Sequence, residues 1–226
     1  RLNHIMRESE TSAEDVWRAE IIPNDGEGDG IARSTNNVTI ETIGCGEISE
    51  NMTLVEDISA TGDCFTVTAD DVYLDLDEYT VSGDDTGIGV NVTGYDGFMV
   101  KDGTFDSFEK VVYAESSIRH NVTNISIGGA NYAFWLDDVN ESVINSNIVL
   151  GNNYSLNFTN ANNNNISNNN FRATIDNVYD TANNNWNLSY NCSWGANIVG
   201  GDCWGGNFWN DYSGLDDGTG LYPYNE

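Results

Sequence analysis

Apolar residues recur along the middle of this chain with a period far too long for a helix face or a single strand. Val90, Val112, Phe134, Leu156 and Val178 are separated by four consecutive steps of 22. Two positions on, Val92, Ala114, Leu136 and Phe158 keep the same step, which is the period-2 spacing of one strand face. A second register runs through Val100, Val122, Val143 and Ile166, each followed five residues later by Phe105, Ile127, Ile148 and Phe171. Leu76 and Val81 fit that register one step earlier, and the steps then read 24, 22, 21 and 23. This predicts turns of varying length between strands that stay in phase. Short β-branched segments at such a period, with no helical stretch, predict the coils of a parallel β-helix, an all-β solenoid. Leucine-rich repeats share the period but need a leucine-and-asparagine frame that this chain lacks.

Asparagine is the anomaly of composition, with 33 in 226 residues. Within a solenoid it acquires a role. Asp102, Asn124, Asn145 and Asn168 each fall two residues after a second-register anchor, where stacked side-chain amides would bond to the coil above and below. Both ends of a solenoid need protection, because open strand edges invite association. Cys45 and Cys64 flank the first coil and Cys192 and Cys203 the last. Four cysteines allow three pairings and spacing does not choose among them. Near-neighbour pairing is the preferred reading, since each bridge would staple a coil with only one neighbour. Trp194, Trp204, Phe208 and Trp209 are read as a plug for the C-terminal opening, with a sugar-stacking platform as their alternative role. Ahead of Cys45, residues 15–30 and 36–43 alternate like two strands around a Gly- and Asp-rich turn. The domains are therefore a β segment over 1–44 and a solenoid over 45–226. A lone hairpin is marginal in water, so the segment is expected to pack on something.

Charge excludes whole classes of partner. The formal net charge is -28, with 36 acidic against 8 basic residues. Such a field repels nucleic acid and anionic membranes. No apolar run is long enough for a membrane helix, and no signal peptide opens the chain. The chain begins at Arg1 without a methionine, which reads as a processed or excised form. Asn-X-Ser/Thr occurs 11 times, at Asn37, Asn51, Asn91, Asn121, Asn124, Asn140, Asn153, Asn157, Asn165, Asn187 and Asn191. Chance predicts roughly five. Asn124 cannot both stack in a ladder and carry a glycan. Sequon density, paired cysteines and acidity together predict an exported glycoprotein, extracellular or at the cell surface.

These residues carry a resemblance. The stretch CGEISENMTLVEDISATGDCFTVTADDVYLDLDEYTVSG (45–83) resembles the first coils of archaeal surface proteins of the NosD-like, right-handed parallel β-helix superfamily. NNNNISNNNF (162–171) resembles its repeat unit, and GGNFWNDYSGLDDGTGLYPYN (205–225) its terminal motif. Residues 15–40 are similar to the last strands of an immunoglobulin-like domain; either the chain is cut from a longer one, or these strands complete a fold in another subunit. The resemblance implies right-handed coils and a surface location more firmly than an activity. The family's name implies copper, but His4 and His120 are the only histidines, and Met6, Met52 and Met99 make no cluster with them.

Candidate chemistry is sparse. Glycoside hydrolysis needs two flanking carboxyl groups, for which Asp137 and Asp138, with Asp102 and Glu115 on neighbouring coils, are the nearest candidates. A uronate lyase needs cations, and Lys101, Lys110, Arg119 and Arg172 do not recur at one coil position. Enzymatic activity is not expected. Calcium is the one cation the Asp-rich turns would take, at Asp25, Glu27 and Asp29 or at Asp211, Asp216 and Asp217, and no cofactor is required. The function expected is a structural or adhesive one: a homo-oligomer or homopolymer of a surface layer, sheath or filament, joined through the N-terminal strands and solenoid ends. Glycan recognition by Tyr95, Tyr113 and Trp135 is the alternative.

Overall fold

The computed structural model describes residues 16–24, 26–36, 38–39, 44–187 and 191–211. The chain separates into two compact units, Arg1–Ile43 and Gly44–Glu226. In the first, Val16–Trp17 pairs antiparallel with Val38–Thr39, and Glu20–Ile21 with Arg33–Ser34. The pairs are nested, so they form one irregular hairpin. At its tip the Gly26 amide donates to Asn24 Oδ1 (2.7 Å) and Asn24 Nδ2 to Asp29 Oδ1 (2.6 Å). Asp25 lies outside the described residues.

The second unit is a right-handed parallel β-helix of about six turns, with no α-helix among its described residues. One wall has seven parallel strands, from Gly46–Ile48 to Asp176–Asp180. Two further walls merge into an 11-stranded sheet because Met99–Asp106 and Asn121–Gly128 run across the bend between them. The interior is a set of like-on-like columns. Val90 pairs in register with Val112, Val112 with Phe134, and Phe134 with Leu156; each is at most 4 % exposed. Val178 continues that column on the half-buried last strand. Val92, Ala114, Leu136 and Phe158 form the adjacent column, as their spacing predicts.

The second register needs correction. Leu74, Val100, Val122, Ile144 and Ile166 share a column, and Val81, Phe105, Ile127, Val149 and Phe171 share its partner. Val143 and Ile148 face outward, and Leu76 is buried at a corner instead. From Val100 onward the step is therefore a constant 22. Adjacent apolar pairs, Val143–Ile144 and Ile148–Val149, carry no sign of which member faces in.

The corners explain the asparagines. At each bend one residue adopts a left-handed backbone and the next side chain turns into the core. Gly97, Arg119, Glu141 and Asn163 (φ 59 to 71°) precede Phe98, His120, Ser142 and Asn164; Asp102, Asn124, Ser146 and Asn168 (φ 54 to 59°) precede Gly103, Ile125, Asn147 and Asn169. Asn and Asp tolerate this conformation better than other non-glycine residues. The expected ladder at Asp102, Asn124, Asn145 and Asn168 thus marks the left-handed column, with Ser146 in place of Asn145. It is bonded from coil to coil as expected: Asn124 Nδ2 donates to Asp102 Oδ1 (2.7 Å) and Asn168 Nδ2 to Ser146 Oγ (3.0 Å).

The buried ladders lie one residue on. Asn147 Nδ2 donates to Val122 O, Asn152 Nδ2 to Ile127 O, Asn164 Nδ2 to Val139 O and Asn169 Nδ2 to Ile144 O, always 25 residues back. Their Oδ1 atoms accept the backbone N–H of Ile125, Ala130, Ser142 and Asn147, always 22 back. One amide thus satisfies both backbone groups that the previous coil loses at its bend. Gly103 begins its column because a Cβ there would collide with Leu76 and the Tyr79 carbonyl.

Both ends are stapled. Cys45 pairs with Cys64 and Cys192 with Cys203, the near-neighbour arrangement. At the C-terminal end Trp209 stacks on Phe171 (4.8 Å between centroids) and Trp186 on Phe158 (5.9 Å). The plug therefore keeps Trp209 of the expected residues and adds Trp186, which was not expected. Trp194 is 58 % exposed and packs edge-on against Trp204, while Phe208 turns outward beneath Arg172.

His120 occupies a corner column whose other members are Phe98, Ser142 and Asn164. It is 5 % exposed, Nε2 lies 2.8 Å from Ser117 Oγ, and Nδ1 has no protein partner. Burial pushes its pKa down to about 4 from 6.5. The folded state therefore favours neutral His120. Its contribution is intact above pH 6.5 and is lost as pH falls toward about 4. That loss should amount to about 3 kcal/mol, and comparing denaturant unfolding of the wild type and His120→Gln across this window measures it. A slope unchanged by the substitution would refute the assignment. The ladders make a second prediction. Asn169→Ala strands Ile144 O and the Asn147 amide and should cost about 3 kcal/mol, whereas Asn124→Ala, at the exposed neighbouring column, should cost less than about 1.

Candidate functional site

Because alternate residues face inward, the outward positions of the seven-stranded wall also stack in columns. Lys110, Tyr132 and Tyr154 share one column, followed by Asp176. Asn91, Tyr113, Trp135, Asn157 and Tyr179 share the next, and Thr93, Glu115, Asp137 and Thr159 a third. Three successive coils thereby gather four aromatic side chains. Tyr132 stacks on Tyr154 (4.8 Å, 14° between planes) and meets Trp135 edge-on (4.7 Å). Lys110 Nζ lies 4.3 Å from the Trp135 ring centroid and 4.9 Å from that of Tyr113. Tyr113 donates its hydroxyl to Glu115 (2.8 Å). Burial first, then that bond and the charges of Glu115 and Asp137, push the Tyr113 hydroxyl up to about 12. Of the expected aromatics, Tyr113 and Trp135 are brought together, while Tyr95 lies in the turn after Ile88–Thr93. Tyr132 and Tyr154 were missed, although their step of 22 marks them as one column.

The candidate carboxylates separate. Glu115 and Asp137 are register neighbours on this face. Asp138 is the left-handed corner residue (φ 52°) and is exposed. Asp102 belongs to another wall, where Lys101 Nζ bonds both to it (2.8 Å) and to Asp75. Those two carboxylates hold the Lys101 ammonium well above its usual range, and the Asn124 bond, then Lys101, lower the Asp102 carboxyl. The other solenoid cations are also engaged locally. Arg119 faces Asp96 at 3.8 Å and Arg172 lies over Phe208. The four cations do not gather at one place.

Copper takes imidazole, thiolate and thioether ligands converging on one point. His120 is enclosed, all four cysteines are in disulfides, and Met52 and Met99 stand on strands two coils apart. Among the described residues no group of three His, Cys, Asp or Glu side chains could hold an ion. The described residues do not fit copper. His4 and Met6 lie outside the described residues, as do Asp216 and Asp217 of the expected calcium loop; Asp211 is exposed.

Asparagine divides cleanly between two uses. Asn147, Asn152, Asn164, Asn168, Asn169 and Asn177 are buried, and none begins a sequon. Of the sequons, Asn51, Asn124, Asn153 and Asn187 are exposed, while Asn91, Asn121, Asn140, Asn157, Asn165 and Asn191 are half-buried. Asn37 lies outside the described residues. The conflict foreseen at Asn124 stands: its side chain is exposed, but its Nδ2, the atom a glycan would take, already donates to Asp102 Oδ1 (2.7 Å).

Among the described residues no helix is long and apolar enough to cross a membrane. Comparison with curated proteins and with solved structures returns no match. A family model described as "Periplasmic copper-binding protein (NosD)" matches residues 11–214, spanning the hairpin and nearly all of the solenoid. With its parallel coils, stacked interior columns and stapled ends, this chain belongs to the NosD family.

Proposed function

We propose that this protein is a non-enzymatic structural component outside the cytoplasm, at an archaeal cell surface, and that it assembles with copies of itself through its N-terminal strands. The observation that carries this reading is apolar exposure in the hairpin unit. Val16, Ile21, Ile22 and Ile31 are 59, 64, 52 and 82 % exposed. Val16 and Ile21 lie on the paired strands and Ile22 and Ile31 beside them. This many exposed aliphatic side chains in so short a segment mark a surface made for covering. Two two-residue pairs are too few to be stable alone, so partner strands would complete the sheet, in the manner of a divided immunoglobulin-like fold. The family description, which names a periplasmic protein, and two disulfides support a place outside the reducing cytoplasm. Acidity at -28 then requires counterions to screen neighbouring copies, and calcium would serve without a dedicated site.

Size-exclusion chromatography with light scattering tests assembly. The full chain should form oligomers or filaments that grow with calcium, and Ile21→Lys with Ile31→Lys should return it to monomer. A wild type that stays monomeric at every concentration, with and without calcium, would overturn the reading. Glycosylation has its own test. Glycopeptide mass spectrometry of native material should find Asn51, Asn153 and Asn187 occupied, and Asn121 and Asn157, whose Oδ1 atoms are enclosed, least so.

A further inference from the structure

The hairpin accounts for assembly but leaves the aromatic face of the seven-stranded wall without a task. Aromatic side chains are not needed there for the fold, because the interior columns of the same strands are already filled by Val112, Phe134 and Leu156. Outward positions elsewhere in these columns carry Asn91, Thr93 and Asn157. The cluster is also ordered in its own right. Each ring is fixed by a neighbour: Tyr154 under Tyr132, Tyr132 against Trp135, and Lys110 across Trp135 and Tyr113. A surface already held rigid loses little entropy on binding.

We propose that this face binds a neutral polysaccharide chain laid across the coils. Three features select that chemistry. Pyranose rings offer an apolar C–H face, which suits Tyr113, Tyr132, Trp135 and Tyr154. Their edges carry hydroxyl groups, which suit the acceptor column of Glu115 and Asp137 beside the rings. Charge removes the acidic glycans: the body carries -28, and the one cation at the face, Lys110, is engaged with aromatic rings. Spacing adds to the fit. Successive coils rise by about 4.8 Å, the strand separation of any sheet, close to the advance of one sugar in an extended chain. The aromatic rows can therefore meet successive residues of one polymer. This site needs one copy of the chain only, so it stands apart from the assembly reading.

Affinity electrophoresis and tryptophan fluorescence of the full chain test the proposal, with cello-, manno- and chito-oligosaccharides as neutral probes and polygalacturonate as the acidic one. At least one neutral series should bind, gaining affinity with length, and added salt should leave that affinity unchanged because no charges pair. Trp135→Ala and Tyr154→Ala should each weaken binding about tenfold. Trp194→Ala, which changes an exposed indole elsewhere, should leave it intact. Circular dichroism establishes that each variant is folded, and Asp137→Asn, which keeps every ring, should also weaken binding should Trp135→Ala fail to fold. Absence of binding to every neutral series would overturn the proposal. So would salt-sensitive binding confined to polygalacturonate, or neutral binding that survives Trp135→Ala and Tyr154→Ala.

Discussion

The fold depends on satisfying backbone polar groups where the chain bends. A parallel coil must turn several times per circuit, and each turn takes an N–H and a C=O out of the strand ladder. In the interior of a solenoid no water reaches them, and an unpaired buried group costs about 1–3 kcal/mol. The inward asparagine answers this with one side chain, its Nδ2 reaching a carbonyl 25 residues back and its Oδ1 an amide 22 back. Only a carboxamide carries donor and acceptor in that arrangement; an aspartate would bring charge and lose the donor. The same geometry at separate bends, in Asn147, Asn152 and Asn164, shows that it follows from the coil and not from local accident.

Much of this was legible in the sequence, and the misses have one cause. The step of 22 identified the seven-stranded wall and both columns behind it, because Val90 and Val92 stand between glycine and polar residues and set the phase for the coils that follow. Where two apolar residues adjoin, as at Val143–Ile144, composition cannot say which faces in. Asparagine posed the same problem. In the run from Asn168 to Asn170 three identical residues occupy a left-handed bend, a buried ladder and an outward strand position. Backbone conformation assigns those roles, and identity does not. The aromatic face was half legible: Tyr113 and Trp135 stood out as residues, while Tyr132 and Tyr154 needed the period to be applied to polar-facing positions as well.

Family membership fixes the scaffold and leaves chemistry to the outward columns. Interior positions answer to the coil, so they say little about ligands. His120 illustrates the point. As one of two histidines in a chain whose family is described as copper-binding, it invites a metal role, yet it fills the column between Phe98 and Ser142 and is held neutral by burial. The outward columns face no such constraint. Their repetition at one residue type is therefore more informative than any buried polar group, because nothing in the fold requires it.

The corners also change character along the axis. In the earlier coils the inward corner residues are Phe98, Phe108, Gly103 and Ile125; in the later ones they are Asn147, Asn152, Asn164 and Asn169. Apolar packing tolerates a shift of register, since one methyl group serves nearly as well as its neighbour. A ladder of amides does not, because slippage by one residue strands a donor and an acceptor at every rung. The later coils are thus held in register by buried amides, whereas the earlier ones combine apolar corners with carboxylates that accept backbone N–H groups of the next coil, as Asp57 does from Thr80 and Asp63 from Ile88. This asymmetry matches the ends. The Cys45–Cys64 bridge ties the first two strands of the seven-stranded wall, well ahead of the first buried asparagine, Asn147. At the other end the step from Asn169 to its ladder partner Asn207 lengthens to 38 residues, and the added loop carries the Cys192–Cys203 bridge. The amide ladder holds its register across that interruption, which packing alone would not enforce.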